Sequence, residues 1–303
     1  MTAKKLCVLF TGILLTTACS QKSANTFTTN KGNAAIVGGA EVTDLDPISK
    51  STALLLDVKT GKKDGHTVIT DLSICTVTVL SNNVVLTAGH CSAENPRELF
   101  LVFSPEVPNW KTFFQTITTN PLVRRVSAGV TAPQWKDLTY ETQENWGDVS
   151  LLRFDGGLPA GFTPAVLAPK DLKLSAQEAI TLAGFGETNG VTKEQATQLM
   201  KVTVKLADPQ FSNTEMKIDN TNGNGACHGD SGGPAYVQTQ DGSLYMTGVT
   251  SRVDKATDPE GKCIGKTIYT KVQPYLTWIS TESNKLNNDP NYGTVIAEPA
   301  EPN

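Results

Sequence analysis

Between about residue 36 and residue 280 the chain alternates short apolar runs with turn signals. Residues 53–58, 73–80, 84–87, 98–103, 149–154, 179–183, 199–206, 244–251 and 267–272 are rich in Val, Leu, Ile, Thr and Phe. Gly, Asn, Asp and Pro recur in the segments between them. Runs of this length and composition predict β-strands, and many of them at regular intervals predict an all-β barrel or sandwich. Residues 155–165 are dense in Gly and Pro and predict a link between two β halves. From Pro274 to Leu286 the period changes. Tyr275, Leu276, Trp278 and Ile279 fall on roughly one side, which predicts a C-terminal helix. Residues 20–35 are polar and read as a flexible lead-in, and the polar, Pro-containing residues 287–303 read as a disordered tail.

The N-terminus has a different pattern. Lys4 and Lys5 precede an apolar core over residues 6–15, too short to span a bilayer, and Ala18 follows as a small residue near a cleavage point. A signal peptide over residues 1–19 is expected, and with it export to the periplasm, the outer membrane as a lipoprotein, or the medium. Cys19 directly follows Ala18, as in a bacterial lipobox. The usual leucine three places before the cysteine is Thr16 here, with Leu15 one place too early. Lipidation of Cys19 and a membrane anchor are expected, with ordinary cleavage near Ala18 as the alternative.

Composition narrows the function classes. The 303 residues are 39% hydrophobic and 18% charged, as in a globular protein. A formal charge of −4 and no basic run after the first five residues argue against a nucleic-acid partner. The three histidines, His66, His90 and His228, lie at no metal-ligand spacing, so neither a metal nor a cofactor is expected. Setting aside Cys7 and Cys19, four cysteines remain: Cys75, Cys91, Cys227 and Cys263. An even number in an exported chain points to two disulfides. Three pairings are open, and proximity in sequence favours Cys75 with Cys91 and Cys227 with Cys263.

The candidate chemistry lies in three places. Cys227-His228-Gly229-Asp230-Ser231-Gly232-Gly233-Pro234 sets a serine on a glycine-flanked turn. The glycines allow a tight turn and leave room for a substrate carbonyl, so that the Gly229 and Ser231 N–H groups can share one oxygen. Thr87-Ala88-Gly89-His90-Cys91 puts a histidine at a strand end, well placed for a general base. Asp148 opens the apolar run Val149-Ser150-Leu151-Leu152, where a carboxylate can be buried and still orient an imidazole. Taken singly, His90 reads as a buried structural histidine and Asp148 as a turn aspartate. Their joint presence with Ser231 reverses that.

These motifs, with Ile36-Val37-Gly38-Gly39 before them, Gly184-Phe185-Gly186 between them and Ile268-Tyr269-Thr270-Lys271-Val272 after them, occur in the order seen in the chymotrypsin/trypsin family of serine endopeptidases. The chain resembles that family over about residues 36–282. The resemblance implies two six-stranded antiparallel Greek-key β-barrels, over about 36–155 and 165–272. A C-terminal helix over about 274–286 completes a peptidase domain of residues 36–286. It implies a triad of Ser231, His90 and Asp148, an oxyanion hole at Gly229 and Ser231, and disulfides Cys75–Cys91 and Cys227–Cys263. A third disulfide common in the family's second barrel has no counterpart here. The resemblance also implies a zymogen, cut before Ile36, whose new α-amino group pairs with Asp230. The pocket positions fall on Gly225, Val253 and Thr267, with His228 at the entrance. No carboxylate stands at Gly225 to meet Lys or Arg, and the side chains at Val253 and Thr267 narrow the pocket toward small aliphatic residues. An apolar preference of the chymotrypsin kind is the next reading, and a non-catalytic surface binding protein on the same fold is the third. Arg252 replaces a common tryptophan, and residues 254–262 look longer than usual. The Ala35–Ile36 bond would itself suit a protease with a small-residue pocket, so self-activation is expected. The partner expected is a protein or peptide substrate, met by a monomer.

Overall fold

The structure is a computed structural model that describes residues 36–92, 98–135 and 144–295. Strands Thr52–Lys63, His66–Val79, Val84–Thr87, Glu98–Val102, Val123–Thr131 and Ser150–Phe154 close into one barrel. Strands Ala179–Gly184, Met200–Asp208, Glu215–Asp219, Pro234–Gln238, Leu244–Val253 and Lys266–Lys271 close into a second. All these pairings are antiparallel. In both barrels the first strand pairs with the second and the fourth, and the third pairs with the sixth. The two are therefore topological copies with Greek-key connections.

Burial explains the strand pattern. In Thr52–Lys63 the first seven residues are buried and the last five emerge toward solvent. Leu54, Leu55 and Leu56 are all buried, so both faces of this stretch are covered. Phe185 and Tyr236, from the second half of the chain, belong to the same apolar cluster as these leucines. The Tyr236 hydroxyl lies 3.0 Å from Ser51 Oγ, which satisfies a polar group that burial would otherwise strand.

Three barrel strands lie outside the runs read from sequence: Val123–Thr131, Glu215–Asp219 and Pro234–Gln238. Arg124, Arg125 and Gly129 mask the first, and the second has five residues of which three are charged. The third begins with proline, which fits only where no ladder donor is needed. The short helix Trp110–Thr116 was likewise not read from sequence.

Residues 287–295 are ordered, contrary to the tail expected from 287 onward: 287 and 288 end the helix Leu276–Asn288, and 294–295 form a strand. The guanidinium of Arg153 donates to the carbonyls of Leu286 (3.1 Å), Asp289 (2.9 Å) and Pro290 (2.8 Å). This satisfies carbonyls at the end of the helix Leu276–Asn288 and turns the chain back. Thr294–Val295 then pairs with Ala128–Gly129. A cation from one barrel strand thus orders a segment whose own composition promises no structure. Residues 296–303, the leader and Cys19 lie outside the described residues. Among the described residues no helix is long and apolar enough to cross a membrane.

Both disulfides are present, Cys75–Cys91 and Cys227–Cys263. The first ties strand His66–Val79 to the turn carrying His90 across a separation of 16 residues. Replacing both of its cysteines by serine is expected to cost about 3 kcal/mol through unfolded-chain entropy. For a domain of this size that lowers the thermal midpoint by roughly 6–12 °C. A calorimetric midpoint within a degree of the parent would show that the barrel holds this turn without the bond.

Candidate active site

Strand register brings the base and the acid together. Thr87 pairs with Ser150 in antiparallel order, so the residues just after 87 lie beside those just before 150. His90 sits in the 3-10 turn Gly89–Cys91, and Asp148 sits two residues ahead of strand Ser150–Phe154. The Asp148 carboxylate is fully buried. Its Oδ2 lies 2.8 Å from His90 Nδ1, and its Oδ1 accepts the His90 backbone N–H at 2.9 Å. Ser251 Oγ donates to Oδ2 at 2.6 Å. Burial works against this carboxylate, but the charge of a protonated His90 and the hydrogen bonds from His90 and Ser251 outweigh it. Together they hold its pKa below the ordinary value.

Ser231 is set by contacts from both barrels. Thr76, in strand His66–Val79, donates its N–H to Ser231 O (2.8 Å) and its hydroxyl to Gly229 O (3.1 Å). Gly232 N–H donates to Thr250 O at 2.8 Å, and Gly233 N–H to Asp230 O at 2.9 Å. The turn needs φ of +94° at Gly229 and +81° at Gly232, which glycine adopts without strain. Among the described residues neither the Gly229 nor the Ser231 N–H has a protein acceptor. His90 and Ser231 line one cleft of about 540 Å³, together with Trp135, Trp146 and Arg252.

Beneath the turn, Asp230 is fully buried. Its Oδ1 accepts Gly186 N–H and its Oδ2 accepts Cys227 N–H, both at 2.8 Å. Burial pushes its pKa up to about 7, opposed by these two donors and reinforced by the nearby Glu187 charge. Ile36 is also fully buried, in the core cluster of the second barrel with Ala226. Val37 bridges Gly225, whose N–H donates to Val37 O at 2.9 Å.

The structure places Val253, Thr267 and His228 on the cleft wall, with His228 Nε2 held 3.0 Å from Gly261 O. Gly225 is backed by Asn220, a residue that sequence reasoning missed. Asn220 is fully buried and donates to Ala226 O (3.2 Å) and Thr267 Oγ1 (2.5 Å). A Cβ at Gly225 would stand 2.0 Å from Asn220 Oδ1. The amide therefore occupies the place where a longer residue at 225 would begin.

Sequence reasoning also missed Ser251, Thr76 and the partners of Arg252. Ser251 follows Gly248-Val249-Thr250 on its strand, and that fixed spacing was the available signal. Nothing in sequence pairs Thr76 with Ser231, because 155 positions of chain separate them. The His/Cys groupings Cys75–His90–Cys91 and Cys227–His228–Cys263 have both sulfurs in disulfides, which removes the thiolates a soft metal needs.

Comparison with known proteins agrees with this geometry. A model of the trypsin family matches residues 58–279. The chain is 27% identical over 240 residues to a urokinase-type plasminogen activator of Gallus gallus, covering 72% of this chain and 52% of that protein. It is 25% identical over 226 residues to a CLIP domain-containing serine protease B4 of Anopheles gambiae, covering 68% and 61%. It is 28% identical over 221 residues to a trypsin of Phaedon cochleariae, covering 68% and 77%. The chain thus spans about half to three-fifths of the first two relatives. With the family match over most of the chain, two barrels of one topology and the Asp148-bound His90 lining the same cleft as Ser231, the chain belongs to the trypsin family.

Proposed function

We propose that the chain is an exported serine endopeptidase, activated by cleavage before Ile36 and selective for small aliphatic residues before the scissile bond. The observation that carries the reading is the buried Asp148 carboxylate, held to His90 at two points and sharing its Oδ2 with Ser251, on the cleft that contains Ser231. The names of the relatives, one serine protease, one trypsin and a plasminogen activator, support the same class.

In the proposed reaction Ser231 Oγ attacks the scissile carbonyl carbon while His90 Nε2 takes its proton. The oxygen becomes an oxyanion held by the Gly229 and Ser231 N–H groups. Asp148 fixes the imidazole with its second proton on Nδ1 and stabilises the imidazolium. Collapse expels the amine, which leaves with the proton from His90. Water then attacks the acyl-enzyme by the same route and frees Ser231.

Activation rests on Ile36 and Asp230. Ile36 has φ of +56°, a strained value for a β-branched residue joined to a preceding peptide. Cleavage of the Ala35–Ile36 bond would remove that restraint and supply an ammonium for Asp230. Two disulfides suit an oxidising compartment and support export. A lipid anchor at Cys19 remains part of the proposal, as does action as a monomer.

For specificity, Asn220 behind Gly225 and the side chains of Thr267 and Val253 support a short pocket. The test is a peptide-library cleavage profile of the processed chain beside labelling by an organophosphate probe. Cleavage after Ala or Val is expected, and labelling is expected to vanish in Ser231→Ala. Gly225→Asp is expected not to create cleavage after Lys or Arg, because its Cβ meets Asn220 Oδ1. Preferred cleavage after Phe or Leu would overturn the small pocket, and absence of labelling and turnover would overturn the enzyme.

A further inference from the structure

Glu215 opens strand Glu215–Asp219 and is fully buried. Four donors converge on its carboxylate. Asn145 N–H lies 2.9 Å from Oε2 and Trp146 N–H 3.3 Å from Oε1. The guanidinium of Arg252 closes the set as a fork, with Nη1 at 2.8 Å from Oε1 and Nη2 at 3.2 Å from Oε2. The same guanidinium lies over Trp146, its Cζ 3.6 Å from the ring centroid.

Both partners of this pair reach Asp148. On one side, Glu215 grips the peptide groups of residues 145 and 146. That segment needs a restraint, since Asn145 and Gly147 both have positive φ, +57° and +66°, and Asp148 follows at once. Thr214 adds its own N–H and hydroxyl to Asn145 Oδ1, at 3.2 and 2.8 Å. On the other side, Arg252 Nη1 lies 3.3 Å from Ser251 Oγ, and that hydroxyl donates to Asp148 Oδ2. One ion pair thus holds the backbone that delivers the carboxylate and the hydroxyl that orients it.

We propose that Glu215 and Arg252 are positioning residues, a buried clamp that sets the Asp148 carboxylate on His90 from its backbone side and its Ser251 side together. Neither touches a reacting atom. The fork geometry matters as much as the charge, because a planar guanidinium fixes two oxygens while an ammonium fixes a point. The proposal rests on the endopeptidase reading. A competing role exists: Arg252 and Trp146 line the cleft, so the pair could act merely as a wall against the bound peptide.

The two roles separate in steady-state kinetics of the processed chain on an amide substrate. The parent is measured first, and a parent without turnover would sink the endopeptidase reading itself. Glu215→Gln/Arg252→Met removes both charges at once, so that neither is left buried alone. Its kcat is expected to fall about 10- to 100-fold, the range that misplacement of a catalytic group produces, with KM within about twofold. Arg252→Lys keeps the charge and the fold and loses the fork, and a several-fold loss in kcat alone is expected. Adding Ser251→Ala to the double variant is expected to cost at least about fivefold less than adding it to the parent, because the two act through one carboxylate. A raised KM with kcat unchanged would assign the pair to the wall. Strict additivity with Ser251→Ala would break the route through that hydroxyl.

Discussion

Asp148→Asn is expected to turn over a peptide substrate about 10⁴-fold more slowly than the parent at neutral pH, with KM little changed. The size follows from what the carboxylate accepts. Three donors meet it: His90 Nδ1–H, the His90 backbone N–H and the Ser251 hydroxyl. A carboxylate has lone pairs for all three, whereas an asparagine amide has one acceptor oxygen and one donor group. If its NH₂ faces Nδ1, the imidazole must carry its proton on Nε2 and can no longer take one from Ser231. If its NH₂ takes the Oδ1 place instead, it meets the His90 backbone N–H, and two N–H donors collide in a fully buried site. In either orientation the imidazolium loses its counter-charge. Full burial of residue 148 keeps water from substituting for the lost acceptor. Circular dichroism and the thermal midpoint check that the barrels persist. A kcat within tenfold of the parent would mean that His90 is oriented by something other than Asp148.

The second large effect is a pH-dependent gap in stability between chains that begin before Ile36 and chains that begin at it. In the uncut chain burial pushes Asp230 up to about 7, from an ordinary value near 4 when unfolded. The folded state then holds this proton more tightly than the unfolded state does. The stability it contributes is full below the unfolded value and is lost as pH rises through about 7. Three pH units correspond to about 4 kcal/mol at most. In the cut chain the proposed Ile36 ammonium is expected to pair with the carboxylate, favour its charged form and remove that loss. The ammonium in turn contributes until pH rises through its own folded pKa. The cut chain is therefore expected to melt several degrees above the uncut chain near pH 8, with the gap shrinking toward pH 5. Ser231→Ala versions of both forms prevent self-cleavage during calorimetry. A gap that does not change with pH would exclude Asp230 as the partner of the new terminus.

Much of this protein was legible in residue order. Runs rich in Val, Leu, Ile, Thr and Phe between turn residues marked nine strands, and Pro274 marked the helix start. Gly229 and Gly232 announced a turn that glycine alone enters without strain, and spacing in the chain favoured the disulfide partners. What stayed hidden depended on contacts. Val123–Thr131 carries Arg124, Arg125 and Gly129, which local propensity disfavours. It forms a strand because neighbouring strands supply both its ladders. Residues 289–295 gain order from Arg153, a side chain far away in sequence.

The same division runs through the candidate site. Which chemical groups are present can be read from residue identity: a hydroxyl at 231, an imidazole at 90, carboxylates at 148 and 230, and no side chain at 225. Those are properties of single residues and their neighbours along the chain. How the groups act on one another follows from the folded arrangement. It buried Asp148 and Asp230 and moved their pKa values in opposite directions, because three donors, one of them an imidazole able to carry a positive charge, meet the first while two backbone amides meet the second. It placed Asn220 where Gly225 has no side chain and closed the Arg252 fork on Glu215 across 37 positions of chain. Burial and hydrogen-bond geometry depend on distance in space, and a barrel sets those distances by strand register, which no local stretch of sequence encodes.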